Sequence, residues 1–220
     1  MNVANAEEAV PEVMALGRRL LDETLPRDAR QSALKTRLSA YAGDEGFLGP
    51  GDEAGWVSCV LAFASLSCGN FGVGALIVDA AGRVFASGHN EICTPRFRSD
   101  AHAEMVVISE FETRWPNASK SGLALYTSLE PCPMCYTRIL ISGLTRVFWV
   151  ADDEAGGMAR RAHLMPDYWR AMEGRCRFER AETRAPLRAL ALDILNYNLD
   201  DLGSTVELRP LPGVSSARRG

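Results

Sequence analysis

The chain has 220 residues, enough for one domain with extensions or two small ones, and its mix of 47% hydrophobic and 24% charged residues is too apolar for a disordered chain. Apolar stretches such as Gly74–Val78 and Val147–Val150 fall far short of the roughly 20 residues of a membrane span, and the acidic, alanine-rich start Met1–Glu12 does not read as a secretory leader, so a soluble cytoplasmic protein is expected. The formal net charge of −4 disfavours a nucleic-acid partner, because affinity for phosphates rests on a basic excess.

In chain order, apolar residues at Ala9, Val13, Leu16, Leu20 and Leu21 follow helical spacing and predict a helix over Ala6–Leu21, stopped by Pro26. A second helix is predicted over Ala29–Tyr41, and the loop Gly43–Gly51 is the expected boundary of an N-terminal extension covering residues 1–51. An apolar helix follows over Asp52–Ser67, with Asp52 as its expected N-cap. Strands Ala75–Val78 and Arg83–Ser87, joined by the turn Asp79–Gly82, read as a hairpin. After a loop from Gly88 to Ser99 come helix Ala101–Arg114, strand Leu123–Thr127, helix Cys132–Ser142 and strand Arg146–Val150. Farther on are a short helix Pro166–Met172, a strand Cys176–Arg180 and an amphipathic helix Pro186–Leu202. Strands separated by helices imply parallel crossovers on one sheet, and so a three-layer α/β/α domain of the α/β class with helical additions at both ends.

Two segments carry chemistry: Ala101-His102-Ala103-Glu104 and Glu130-Pro131-Cys132-Pro133-Met134-Cys135. Cysteines three apart on the first turn of a helix point the same way, so two thiolates can meet one ion, and a histidine opening a neighbouring helix can supply a third ligand. Three protein ligands leave one tetrahedral position of zinc open, the arrangement of a catalytic site. Glu104, two residues after His102, is placed to move protons beside it. Two other readings stand next to this one: a redox pair at Cys132 and Cys135, and a closed structural site completed by Cys93 or His163. Cys59, Cys68, Cys93 and Cys176 stand singly and are expected as buried, inert thiols. Asp152, Asp153 and Glu154 follow the last core strand, where the C-terminal edge of an α/β sheet builds its pocket. Tyr168, Trp169 and Tyr197 could stack on a flat ring or serve in packing.

The order H-x-E followed by P-C-x-x-C resembles the signature of zinc deaminases that act on nucleobases, and the chain resembles the cytidine deaminase superfamily. Leu125–Cys135, Val73-Gly74-Ala75 and Gly88-His89-Asn90 look most like its guanine deaminase and tRNA adenosine deaminase branch. The resemblance implies a mixed five-stranded sheet, a deaminase core over residues 52–160, and a homodimer. It implies zinc on His102, Cys132 and Cys135, with Glu104 as proton shuttle. Asn90 would hydrogen-bond the substrate and the Ala103 amide would contact the ring; Asp153, from its position after the last core strand, and Trp169, from its ring, are expected as further substrate contacts. Residues 161–220 would close the pocket or the dimer interface, with Pro166–Trp169 and Leu192–Leu202 as the closing material. The implied reaction removes an exocyclic amine from a nucleobase, nucleoside or related small amino-heterocycle, guanine first. The alternatives are a tRNA adenosine deaminase and a non-catalytic zinc-stabilised interaction module. The chain departs from the guanine deaminase pattern at Gly72-Val73-Gly74 and at Arg98-Ser99-Asp100-Ala101, where Arg98 could meet an anionic group on a substrate.

Overall fold

The computed structural model describes residues 13–43 and 46–207, so the first turns of the first expected helix, residues 6–12, lie outside the described residues. Helix α1 (Val13–Glu23) and helix α2 (Ala29–Gly43) precede α3 (Pro50–Ser67), which leads into the hairpin of β1 (Gly74–Val78) and β2 (Val84–His89). Then come α4 (Ala103–Arg114), β3 (Ala124–Leu129), α5 (Pro133–Ser142) and β4 (Arg146–Ala151). A short 3-10 helix (Ala159–Leu164), which no sequence pattern announced, leads to α6 (Asp167–Glu173), β5 (Arg177–Arg180), α7 (Ala185–Asn196) and α8 (Leu199–Glu207).

The five strands form one mixed sheet in the order β2-β1-β3-β4-β5. Strand β1 runs antiparallel to both β2 and β3, while β3, β4 and β5 are mutually parallel. Strands β2 and β3 are therefore parallel to each other with β1 between them, so the α4 connection is a crossover that steps over one strand.

Strand β1 is buried on both faces, and its alternation assigns each side chain to a layer. Leu76 and Val78 join the core under α3, which α1, α2 and α7 cover, whereas Ala75 and Ile77 join the core under α4 and α5. Helix α3 is apolar all round because it is buried all round, between the sheet and three other helices. Gly74 is where that contact is tightest: a Cβ there would lie 2.4 Å from the Ser58 carbonyl oxygen and 2.5 Å from the Ala62 nitrogen, so only glycine lets β1 touch α3.

Two local expectations are corrected. Asp52 does not cap α3, because the helix starts earlier, with Pro50 in the first-turn position its ring favours. Asp52 instead lies buried in the first turn, accepting hydrogen bonds from the Tyr41 hydroxyl and, at 3.0 Å, from the Leu48 amide. The single helix expected over 186–202 is two helices, parted at Tyr197 and Asn198, whose side chains bond to Asp28 and to the Asn70 carbonyl. Among the solitary cysteines, Cys59 and Cys176 are buried, while Cys68 is exposed and Cys93 half-buried.

Candidate active site

The parallel strands β3 and β4 deliver their C-terminal ends to one edge of the sheet, beside the starts of α4 and α5. His102 is the N-cap residue of α4 and Cys132 that of α5, each in extended backbone conformation. Pro133 holds the first helical position of α5 and Cys135 follows within its first turn. The positive ends of two helices thus favour thiolate at this spot. The Nδ1 of His102 lies 3.6 Å from the Sγ of Cys132, and one donor atom from each of His102, Cys132 and Cys135 lies within 4.8 Å of the others. They form the only such group of three or more metal-binding side chains among the described residues, and neither Cys93 nor His163 belongs to it. Cys132 and Cys135 are both free thiols.

The electrostatics are those of a thiolate site. Hydrogen bonding from Cys135 brings Cys132 down to about 4, with a further contribution from His102 and against the cost of burial. The same shared bond, with burial, holds Cys135 well above the ordinary thiol range. Burial works against a charged His102, but its bond to Cys132 and the charges of Cys132 and Glu104 outweigh that and raise it. Burial and the neighbouring Cys132 charge lift the Glu104 carboxyl above the usual carboxylate range. One nitrogen and two sulfurs converging on one point suit zinc, and with three protein donors they match an open site.

These groups border a pocket of about 370 Å³. His102, Ala103 and Glu104 line it together with Asn90 and Asp153, and its walls are apolar, with Phe71, Phe97 and Leu195 among them. No lysine or arginine among the described residues lines it. Glu104 is buried, and Thr127 donates to its Oε1 at 3.4 Å. Asn90 is buried and pinned: its Oδ1 accepts the Ile92 amide at 3.0 Å and its carbonyl accepts the Ser65 hydroxyl at 2.8 Å. That leaves the amide NH2 as the end free for a ligand. Asp153 uses Oδ1 to accept the amides of Ala155 and Gly156, at 3.0 and 2.8 Å, which turns the loop after β4 back over the pocket edge.

Glu130 acquires a role that sequence reasoning missed. Its fully buried carboxylate accepts the Arg160 backbone amide at 2.8 Å, the Arg160 Nε at 2.8 Å and the Asp153 amide at 3.2 Å. One carboxylate thereby ties the segment 153–160 to the metal-binding turn. Gly157 permits it, since a Cβ there would lie 2.4 Å from Glu130 Oε2 and 2.6 Å from the Asp153 carbonyl oxygen. Ser128 is likewise structural, accepting the Gly74 amide at 3.1 Å.

Trp169 does not line the pocket. It sits on α6, where, like Met172 and Phe178, it packs against the core beneath α4 and α5, edge-on to Tyr168. Burying so large a ring on that side of the sheet takes Pro166–Trp169 away from the pocket, and the C-terminal wall comes instead from Leu195, Leu199 and Gly203 of α7 and α8. Arg98 also faces elsewhere, beside Glu91 at 3.5 Å and Asp100 at 3.6 Å. Phe71 and Phe97 were not singled out from the sequence, because each lies in an irregular segment with no periodicity to mark its direction.

Residues 52–151 match the profile of the family described as the cytidine and deoxycytidylate deaminase zinc-binding region. The helices and strands that carry His102, Cys132 and Cys135 all lie within the matched residues, whereas α7 and α8 lie beyond them. The chain is 39% identical over 89 residues to a tRNA-specific adenosine deaminase of Bacillus subtilis, an alignment that covers 40% of this chain and 54% of that protein. It thus spans about half the length of that curated relative. Among solved structures, it resembles one from a study of A-to-I editing by tRNA:A34 deaminases, at 26% identity and a TM-score of 0.51, covering 63% of this chain and 95% of the other. A guanine deaminase from Nitrosomonas europaea shares the fold at 20% identity and a TM-score of 0.54, covering 74% and 92%.

Proposed function

We propose that the protein is a zinc-dependent aminohydrolase that removes an exocyclic amine from a free base, nucleoside or related small amino-heterocycle, with guanine the first substrate to test. The observation that carries this reading is the convergence of three metal donors with a buried carboxylate, Glu104, at one pocket. His102, Cys132 and Cys135 would hold the zinc. Bound there, zinc supplies a water activated for attack near neutral pH. Glu104 would carry the two protons of the attacking water in turn, one to the ring nitrogen and one to the departing amine. The amine leaves as ammonia and the water oxygen stays on the ring carbon, so the reaction needs no other reactant. A carboxyl raised by burial suits both halves of that transfer. Asn90 and the Ala103 amide would orient the ring, with Asp153 at its edge and the apolar walls excluding bulk water.

A small substrate is favoured by the wall from Leu195, Leu199 and Gly203, which narrows the pocket from the same chain, and by a lining without lysine or arginine among the described residues. A tRNA adenosine deaminase is the second reading, favoured by the relative from Bacillus subtilis. In that case the acidic net charge noted in the sequence does not keep a nucleic acid away. In the same proposal, residues 52–160 carry the reaction, residues 161–220 complete the pocket or a homodimer interface, and the protein works in the cytoplasm. Ammonia release should be measured across guanine, cytosine, adenine, their nucleosides, amino-triazines and pterins, with inosine formation in tRNA alongside. Turnover of a small amine with no tRNA product is the expected result. Inosine formation alone would establish the second reading, and no turnover of any kind would overturn both.

A further inference from the structure

We propose that the start of α2 sets the position of the pocket's C-terminal wall, acting through Tyr197 as a positioning residue; this rests on the small-substrate reading above. Helix α8 supplies Leu199 and Gly203 to the pocket, yet none of its described side chains is buried. Its placement therefore does not rest on a buried side chain among residues 199–204. It comes from the joint before it, the two residues between α7 and α8.

That joint is held from two sides. On one, the Tyr197 hydroxyl donates to Oδ2 of Asp28, while Oδ1 of the same carboxylate accepts the Gln31 amide at 2.9 Å and caps the first turn of α2. The Arg30 guanidinium stacks on the Tyr197 ring, 4.6 Å from its centroid, and one turn earlier on α7 Asp193 pairs with Arg37 at 2.6 Å. On the other side, Asn198 donates through Nδ2 to the Asn70 carbonyl at 3.0 Å. Asn70 in turn accepts the Cys93 and Thr94 amides at 2.8 and 2.9 Å, in the loop that carries Ile92 and Phe97 to the pocket. Leu195 lies two residues before Tyr197 and Leu199 two residues after it, so a tilt at this joint moves both wall residues. An N-terminal helix remote from the chemistry thus fixes the width of the site, and its effect should fall on substrate binding and spare the reacting groups.

The test uses the zinc-loaded full chain. Tyr197→Phe keeps the ring and its stack on Arg30 but removes the donor. Asp28→Ser keeps a cap for α2 but cannot also hold Tyr197, while Asp28→Asn can do both. Hydrogen–deuterium exchange of residues 198–204 should rise about fivefold in Tyr197→Phe and Asp28→Ser, the effect of one modest hydrogen bond, with the α4 amides unchanged and Asp28→Asn close to wild type. The double variant should exchange no faster than either single one. KM should rise by a similar factor at unchanged kcat. Unchanged exchange at 198–204, additive effects in the double variant, or an equal loss of kcat would each overturn the proposal. Should the wild-type chain deaminate nothing, the functional reading falls, and the exchange data still decide whether Tyr197 holds the wall.

Discussion

Glu104 is the residue on which the chemistry turns. It is buried, it receives a hydrogen bond from Thr127, and it sits two positions from His102 on the same helix start. Glu104→Gln keeps the shape but cannot cycle a proton, so ammonia release should fall by about 10³-fold while zinc content, read by elemental analysis, stays at the wild-type level. Loss of the metal together with the activity would instead make Glu104 a structural support. Gly157→Ala is the structural counterpart at this scale. Its new Cβ would press on the Asp153 carbonyl and on the Glu130 carboxylate, which Arg160 holds in place. Thermal denaturation should report a loss of about 2 kcal/mol, and an unchanged midpoint would show that the 153–160 segment gives way freely. At this scale the metal donors and Glu104 were legible in the sequence, because their spacing along the chain and the two helix starts fix their directions. Glu130 was not, since its partners Arg160 and Asp153 come from a loop that folds back on it.

Among the elements, β1 was readable because both cores close on it and its apolar run meets no polar interruption. The break between α7 and α8 was not, because amphipathic spacing continues across it and the bonds that impose it reach residues far away in the chain. On helix α6, Trp169 packs against the core beneath α4 and α5, the packing role the sequence left open, and is not among the residues lining the pocket. Trp169→Ala should therefore cost about 2 kcal/mol of stability for a partly buried ring, while KM stays within about twofold of wild type. A large rise in KM with stability intact would return Trp169 to the substrate. Strand β4 ends in a charged clasp, in which Asp152 accepts Arg180 Nε at 2.7 Å and Trp149 Nε1 at 2.9 Å. The bond to Arg180 leads the causes that bring its carboxyl down to about 2, below its ordinary 3.8. A carboxyl depressed on folding adds stability that is present above its ordinary value and is lost as pH falls through about 2. The stability gap between wild type and Asp152→Asn should thus shrink as pH is lowered from about 5 to about 2; a gap independent of pH would contradict the clasp.

For the molecule as a whole, the fold brings two helix starts and two parallel strand ends to one edge and then covers that edge with helices from beyond residues 52–151. The sheet order and the strand directions place His102 on one crossover and the cysteines on the next, which is why ligands 30 residues apart can meet at one point. Among the described residues no helix is long and apolar enough to cross a membrane. The chemistry depends on a single zinc held through His102, Cys132 and Cys135 with one position left for water. X-ray absorption at the zinc edge of the purified protein reads that coordination directly. One zinc per chain is expected, with two sulfur neighbours at about 2.3 Å and two lighter ones at about 2.0 Å, falling to one sulfur or to no metal in Cys132→Ala. A third sulfur, four ligands all from protein, or a metal-free chain with Cys132 and Cys135 joined to each other would contradict it.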